Sequence, residues 1–438
     1  MSIRKISFYT AVSVVIANMI GTGVFTSLGF QLKDIQSVFA ITMLWVVGGI
    51  IALCGALSYG ELASAMPRSG GEYQYLSKIL HPFVGFLSGW VSVTVGFSAP
   101  VALSAMALGK YVHEVYPLLN EKILGCSVVI LITLVHSFNL KNSAKFQNIF
   151  TVLKVVLIVV FITAGFFAGN TLHISVLPIN SLIPSESWKS IFSPAFAVSL
   201  IYVSYAYSGW NASAYMSNDI ENPRINVPKS LFWGTAVVMI LYVLLNYIFL
   251  YTAPIKELQG QVEVGYISAI HIFGTQIGNL VDMLIALLLV SSVSSMVFAG
   301  PRVSQVMGED LPQLSFLSKK NKNGIPVIAT LLQSAITILL ILTSTFGTVL
   351  LYLGFTLSLF TFLTVFSLFV MRIKKREISG IYKTFAYPIT PIIFLLLTAW
   401  TLFFTMKNNF EESILGLLTV VVGGVVYFIK TKDKLKKV

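Results

Sequence analysis

The 438-residue sequence predicts an all-α polytopic membrane protein with twelve transmembrane helices. Three observations predict it. Apolar residues make up 56% of the chain and charged residues only 11%, against about 25% charged in an average soluble protein. Mean hydropathy is +0.85, and so little charge cannot cover a water-facing surface. The apolar residues also gather into twelve stretches of the ~20 residues that a bilayer-spanning helix needs. These lie near 8–30, 38–60, 82–109, 123–140, 147–169, 191–216, 231–253, 279–301, 325–345, 347–371, 386–406 and 412–429. Finally, the loops between them are short and sort the basic residues to one side. Disordered, collagen-like and disulfide-framework chains are excluded by the same composition.

Taken in order, the first span follows Arg4 and Lys5 as a secretory signal would. It exceeds a signal core in length and no small-residue cleavage site ends it, so it reads as a retained helix. Cys54 and Cys126 fall within or at the edge of the second and fourth spans without a pairing motif, and read as small buried hydrophobes. The fifth span carries one lysine, Lys154. The sixth is rich in small, polar and aromatic residues. Spans seven to ten are conventional, and eleven and twelve precede a basic tail at 430–438. The organisation is a five-span unit at 1–170, a second at 191–371, two peripheral spans at 386–429 and the tail.

The net charge of +12 comes from 29 Lys+Arg against 17 Asp+Glu. With the N-terminus in the cytoplasm, 22 of the 29 basic residues fall in cytoplasmic segments. The opposite side receives Lys33, Lys110, Lys122, Lys189, Lys256 and Lys407, and Lys154 belongs to neither. This bias is the positive-inside pattern. It predicts an even number of spans with both termini cytoplasmic. It also removes nucleic acid as a partner, because no one face gathers the charge.

Two spans are interrupted. The first reads Asn18-Met19-Ile20-Gly21-Thr22-Gly23-Val24-Phe25, and the sixth reads Tyr205-Ala206-Tyr207-Ser208-Gly209-Trp210-Asn211. Glycine weakens a helix by about 1 kcal/mol relative to alanine. Non-helical backbone inside a membrane survives only against protein or a water-filled cavity. Close helix packing is the plain alternative, since small residues often line helix–helix contacts. However, both interruptions fall near mid-span, and five spans separate them, so the two helices run in opposite directions. Paired breaks in inverted halves point to a transporter's central site. A broken helix frees N–H groups that suit a carboxylate and C=O groups that suit an ammonium. An α-amino acid carries both groups on one carbon.

Four motifs resemble the amino acid–polyamine–organocation superfamily, and within it the L-type amino acid transporter branch and its bacterial relatives. They are Ile20-Gly21-Thr22-Gly23-Val24-Phe25, Met66-Pro67-Arg68-Ser69-Gly70-Gly71-Glu72-Tyr73, Tyr205 to Asn211 with the tail Glu221-Asn222-Pro223-Arg224-Ile225-Asn226-Val227-Pro228, and Pro301-Arg302-Val303 onward to Pro312. The resemblance implies a LeuT-type fold, a 5+5 inverted repeat with helices 1 and 6 broken at mid-membrane. It implies a substrate carboxylate on Gly21, Thr22 and Gly23. It sets the ammonium on carbonyls of Met19 or Ile20 and of the helix-6 break, so that Tyr205, Ala206, Tyr207, Ser208 and Gly209 complete the substrate-binding set. Tyr205 holds the family's gate position, and Trp210 is expected at the gate or the structural edge of the site. Ser208 departs from the glycine common in the L-type branch.

Lys154 lies about 12 Å into a core of about 30 Å. A cation there costs about 3 kcal/mol and is functional by default; snorkelling to the surface is the alternative. In relatives that use sodium a cation bridges helices 1 and 8; the resemblance implies that in the L-type branch and some proton-coupled relatives a helix-5 lysine takes that place, and Lys154 matches that position. Tyr242, Ser291, Ser292, Ser294 and Ser295 are its expected neighbours in coupling. His136 reads as a packing residue, and His113-Glu114 lacks metal-ligand spacing. No phosphate loop, zinc pattern or nucleophile elbow is present. The expectation is therefore no enzyme, no cofactor and no metal. The function implied is a sodium-independent secondary transporter of small neutral L-amino acids in the plasma membrane, working as an exchanger by alternating access. Proton-coupled symport is the alternative, a membrane-embedded enzyme the remote one. In animals the L-type branch pairs with a glycoprotein through a cysteine after helix 3. Residues 110–122 contain none, so no covalent heavy-chain partner is expected.

Overall fold

The computed structural model describes residues 5–138, 143–169, 189–322, 324–374 and 382–435. Arg4, Lys141, Lys145, Lys375, Arg376 and the tail at 430–438 lie outside the residues whose side chains are described. Among the described residues the protein is helical, with a single bridge between extended residues, Ile6 beside Ile220. Nine helical stretches there are long and apolar enough to cross a membrane, and Pro194–Tyr207 and Val327–Thr343 are shorter apolar helices.

The predicted first span is α1 (Phe8–Met19), then a break, then α2 (Gly23–Thr26) and α3 (Leu28–Gln31). Ser7 caps α1 by accepting from the Thr10 N–H. The second span is α4 (Val38–Ala65), started in the same way by Ser37. The short α5 (Gly71–Ile79) precedes α6 (Pro82–Val91), which opens on a proline at its first position. A π-turn at Ser92–Gly96 joins α6 to α7 (Ser98–Val115), so the third span is one helix with a local widening. The fourth and fifth spans are α8 (Glu121–Phe138) and α9 (Ser143–Gly169).

The sixth span is α10 (Pro194–Tyr207), an irregular turn, and α11 (Ala212–Tyr215). Next come α12 (Pro223–Thr252) and the short α13 (Ile255–Leu258). The eighth span lies in α14 (Val264–Asp310), which bends sharply at Gly274. The remaining helices are α15 (Val327–Thr343), α16 (Phe346–Ile373), α17 (Ile389–Asn408) and α18 (Phe410–Leu435). Thus the breaks in the first and sixth spans fall where the glycines predicted them.

Packing explains why the breaks end up inside. α4 lies along α12, which also carries α1; α7 lies along α14; α10 is flanked by α16, α17 and α4. Trp45, Tyr59, Tyr207, Tyr242, Phe196 and Phe249 are fully buried between these helices. Large apolar side chains on α18, such as Val421, Val425 and Phe428, are more than half exposed, as a lipid-facing helix requires.

Candidate functional site

The two breaks meet. A Cβ on Gly23 would lie 2.5 Å from the Ala206 Cα, and one on Gly209 would lie 2.7 Å from the Asn18 carbonyl oxygen. Moving from residue 18 to 23 in the first span therefore runs from 209 back to 206 in the sixth. The broken helices cross antiparallel with their interruptions in contact, as the odd spacing of spans predicted. Gly209 has φ +96, a conformation that side-chain-bearing residues rarely adopt. The N–H groups of Gly21, Thr22 and Gly23 make no backbone hydrogen bond among the described residues. A broken helix is expected to leave such donors without a backbone acceptor, and the Gly21 N–H is met by the Tyr242 hydroxyl.

A small cavity of about 30 Å³ opens at this crossing. Met19, Ile20, Gly21, Thr22, Gly23, Tyr205, Ala206 and Ser208 all line it, eight of the ten residues the sequence assigned to substrate. Tyr207 and Gly209 do not. They line a larger neighbouring cavity of about 150 Å³ together with Trp210. The two cavities share Asn18, Pro100, Tyr205, Ser208 and Met296, so one wall serves both. The Tyr207 hydroxyl donates to the Trp45 carbonyl at 3.1 Å. Trp210 stands edge-on to Tyr59 at 4.7 Å and packs over Gly55.

Hydrogen bonds fix the crossing. Thr22 and Ser104 share one between hydroxyls at 2.5 Å, tying α7 to the first break. Tyr242 on α12 donates to the Met19 carbonyl at 2.5 Å. That bond uses one of the two lone pairs of the Met19 carbonyl, which the sequence assigned with Ile20 as a choice for the ammonium. Tyr205 is buried and interacts with Thr22.

Lys154 is 3% exposed, and its Nζ donates to Ser292 Oγ at 2.9 Å. It does not snorkel. Ser292, Ser295 and Met296 lie at helical spacing on one face of α14 and line the smaller cavity. One hydroxyl therefore separates Lys154 from the cradle at the breaks. The other serines diverge. Ser294 bonds to His136 Nε2 at 2.8 Å, Ser295 donates to the Ser292 carbonyl at 2.9 Å, and the Ser291 hydroxyl is buried without a partner among the described residues. His136 is accordingly a hydrogen-bonded packing residue.

Sequence reasoning missed Ser104, Asn18, Pro100 and Met296 in the cradle wall. Asn18 had a signal, an amide two residues before the first break; the others sit in ordinary helical sequence. It also missed Glu72, which lines the larger cavity and accepts from Tyr59 at 2.8 Å and from Asn211 at 3.2 Å. Outside the membrane-spanning helices, burial pushes the Glu72 carboxyl up from 4.5 to about 7, opposed by those two hydrogen bonds.

A helical membrane protein whose two broken helices cross at a polar, backbone-lined cradle is built as a transporter of small molecules. The chain belongs to the amino acid permease family, whose model matches residues 6–426. It is 27% identical over 436 residues to the large neutral amino acids transporter small subunit 2 of Mus musculus, covering 97% of this chain and 81% of that one. The b(0,+)-type amino acid transporter 1 of the mouse is 25% identical, covering 97% and 87%. The mouse Asc-type amino acid transporter 1 is also 25% identical, covering 97% and 81%. The homologues are amino acid transporters and not enzymes, and the chain is a multi-pass membrane protein of the same family.

Proposed function

We propose that this amino acid permease is a sodium-independent exchanger of small neutral L-amino acids. The observation that carries the reading is the antiparallel crossing of the two breaks, with the N–H groups of Gly21, Thr22 and Gly23 on one side and the Ile20 and Ala206 backbone on the other. A carboxylate sits on the first set and an ammonium on the carbonyls. The smaller cavity holds the α-groups, and the larger one beside Tyr205 and Ser208 takes the side chain. Tyr205 closes over the substrate as a gate, with Trp210 at its edge. Lys154, through Ser292, supplies the fixed positive charge that sodium would otherwise bring.

In this reading the fold is a twelve-helix, five-plus-five inverted repeat of residues 1–170 and 191–371, with 386–429 peripheral. The broken helices rock against the rest. Both termini face the cytoplasm, which the basic loops support. The absence of cysteine in 110–122 supports operation without a disulfide-linked partner, although the mouse relative named as a small subunit belongs to an assembly. Proton symport is the second reading. It is favoured by Lys154, which is buried beside a hydroxyl with no carboxylate partner among the described residues.

The test is uptake of labelled neutral L-amino acids into proteoliposomes with and without internal amino acid, a sodium gradient or a pH gradient. Exchange predicts uptake only into loaded vesicles, unchanged by sodium. Uptake that requires sodium overturns the role given to Lys154. Uptake into empty vesicles driven by pH replaces exchange with symport.

A further inference from the structure

The larger cavity ends at a carboxylate that the transport cycle described above does not use. Glu72 is 6% exposed and stands in the first turn of α5, between the membrane-spanning α4 and α6. Three side chains from two other elements converge on it. Tyr59 of α4 donates its hydroxyl to Glu72 Oε1 at 2.8 Å. Asn211, the residue at the start of α11, donates its amide to the same oxygen at 3.2 Å. Tyr215, at the end of α11, interacts with the carboxylate, and its ring lies so close to Gly71 that a Cβ there would sit 2.4 Å from Cε1. The short helix that follows the sixth-span break is thus pinned at both ends against α5, and Glu72 is where the pins meet.

The titratable groups facing Glu72 are all phenols: Tyr59 from α4, Tyr75 from α5 itself and Tyr215 from α11. No cation pairs with it among the described residues. Its ionised form is held by neutral donors and by the N-terminal end of α5, against the cost of burial. Glu72, Asn211 and Tyr215 line the larger cavity, and this corner lies beside the N-terminal segment, where the Ile6 N–H donates to the Asp219 carbonyl at 2.7 Å and the Asn218 N–H to Ser69 Oγ at 3.0 Å, so water from that face can deliver a proton to it.

We infer that Glu72 is a positioning residue of the transport cycle: its carboxylate latches α11, the segment following the sixth-span break, to α4 and α5, and protonation from the face that carries the N-terminal segment releases the latch. The inference rests on the transporter reading but not on exchange or on sodium independence. Hydrogen bonds to a charged acceptor exceed those to a neutral one in strength. Taking up a proton therefore weakens the hold of Asn211 and Tyr59 together. The released helix moves more easily, so substrate turnover rises as that face is acidified. Burial places the change within reach of ordinary pH, near 7.

The experiment is exchange of labelled L-alanine by the full chain in proteoliposomes of defined sidedness, with pH varied from 6 to 8 on each face separately. If L-alanine does not exchange, the amino acid that exchanges best replaces it. The wild type is expected to speed up about fivefold on acidifying the face that carries the N-terminal segment, the difference between hydrogen bonds to a charged and a neutral acceptor. Acidifying the other face leaves that step unchanged. Glu72→Gln flattens the profile, and Glu72→Asp retains it. Tyr59→Phe removes a donor to the ionised form, so the midpoint moves up by about one pH unit.

Thermal stability gives a readout that needs no transport. A carboxyl raised from 4.5 to about 7 in the folded protein contributes stability at low pH that is lost as pH rises through that interval. The wild type must therefore lose stability relative to Glu72→Gln between those values. A flat or inverted wild-type profile, a Glu72→Gln profile like the wild type, or equal pH dependence of the two melting curves overturns the inference. Failure of the wild type to transport any amino acid, whether by exchange or by uptake driven by a pH or sodium gradient, with the melting difference intact, would instead count against the transporter reading.

Discussion

Lys154 and Arg372 are both cations drawn in among the helices, and they are held in opposite ways. Arg372, near the end of α16, makes a bidentate pair with Glu61 of α4 at 2.8 and 2.7 Å and lies 3.6 Å over the Tyr387 ring. The same carboxylate accepts from the Thr384 N–H at 2.6 Å. Glu61 is buried and Arg372 half-buried, and the pair is well compensated. Lys154 has a single hydroxyl, Ser292, and no ion pair among the described residues. Arg372 is a rivet between α4, α16 and the segment that leads to α17. Lys154 is a buried charge one hydroxyl away from the cradle, and in the exchanger proposed above it is kept there for coupling rather than for stability.

The contrast predicts opposite outcomes when each charge is removed. Glu61→Ala leaves Arg372 without its counter-charge and should cost about 3 kcal/mol, seen as a large drop in thermal stability in detergent. A variant that melts like the wild type would mean the pair is solvated and weak. Lys154→Met keeps the length of the side chain and removes the desolvation cost. Its stability should match or exceed the wild type, while exchange falls at least about tenfold, or roughly 1.4 kcal/mol of barrier. Stability that collapses with Lys154→Met would make the lysine another rivet. Ser292→Ala removes the one bond to Lys154, worth about 1 kcal/mol, and should slow exchange about fivefold without altering the fold. Smallest is His136→Phe. It breaks the 2.8 Å bond to Ser294, away from the cradle, and should leave exchange within about twofold, at the scale of one weak contact.

The sequence made the breaks legible because glycines and small polar residues at mid-span have few other uses in a membrane. It also singled out Lys154, since one lysine among apolar residues cannot be read as a loop. What it left open was rotation. Four serines on α14 lie within five residues, and only packing against α9 and α8 shows that Ser292 meets Lys154 while Ser294 meets His136. Ser104 and Met296 entered the cradle wall for the same reason: the side of a helix that faces a neighbour is set by tertiary register, and neither residue is unusual in its own helix. Arg372 was counted as one more basic residue on the cytoplasmic side, and its pairing with Glu61, 311 residues away, has no local signature. Glu72 was read only as part of a loop motif, because its burial depends on α11 folding back over α5.

In the proposed transporter the crossing of the two broken helices holds the α-ammonium and α-carboxylate of one amino acid. Competition against exchange of labelled L-alanine in loaded proteoliposomes tests it most directly, using L-alanine, its N-acetyl derivative and its methyl ester as competitors. Only free L-alanine is expected to inhibit, because each blocked form leaves one set of backbone groups at the breaks without its charge. Equal inhibition by the N-acetyl and ester forms would contradict it.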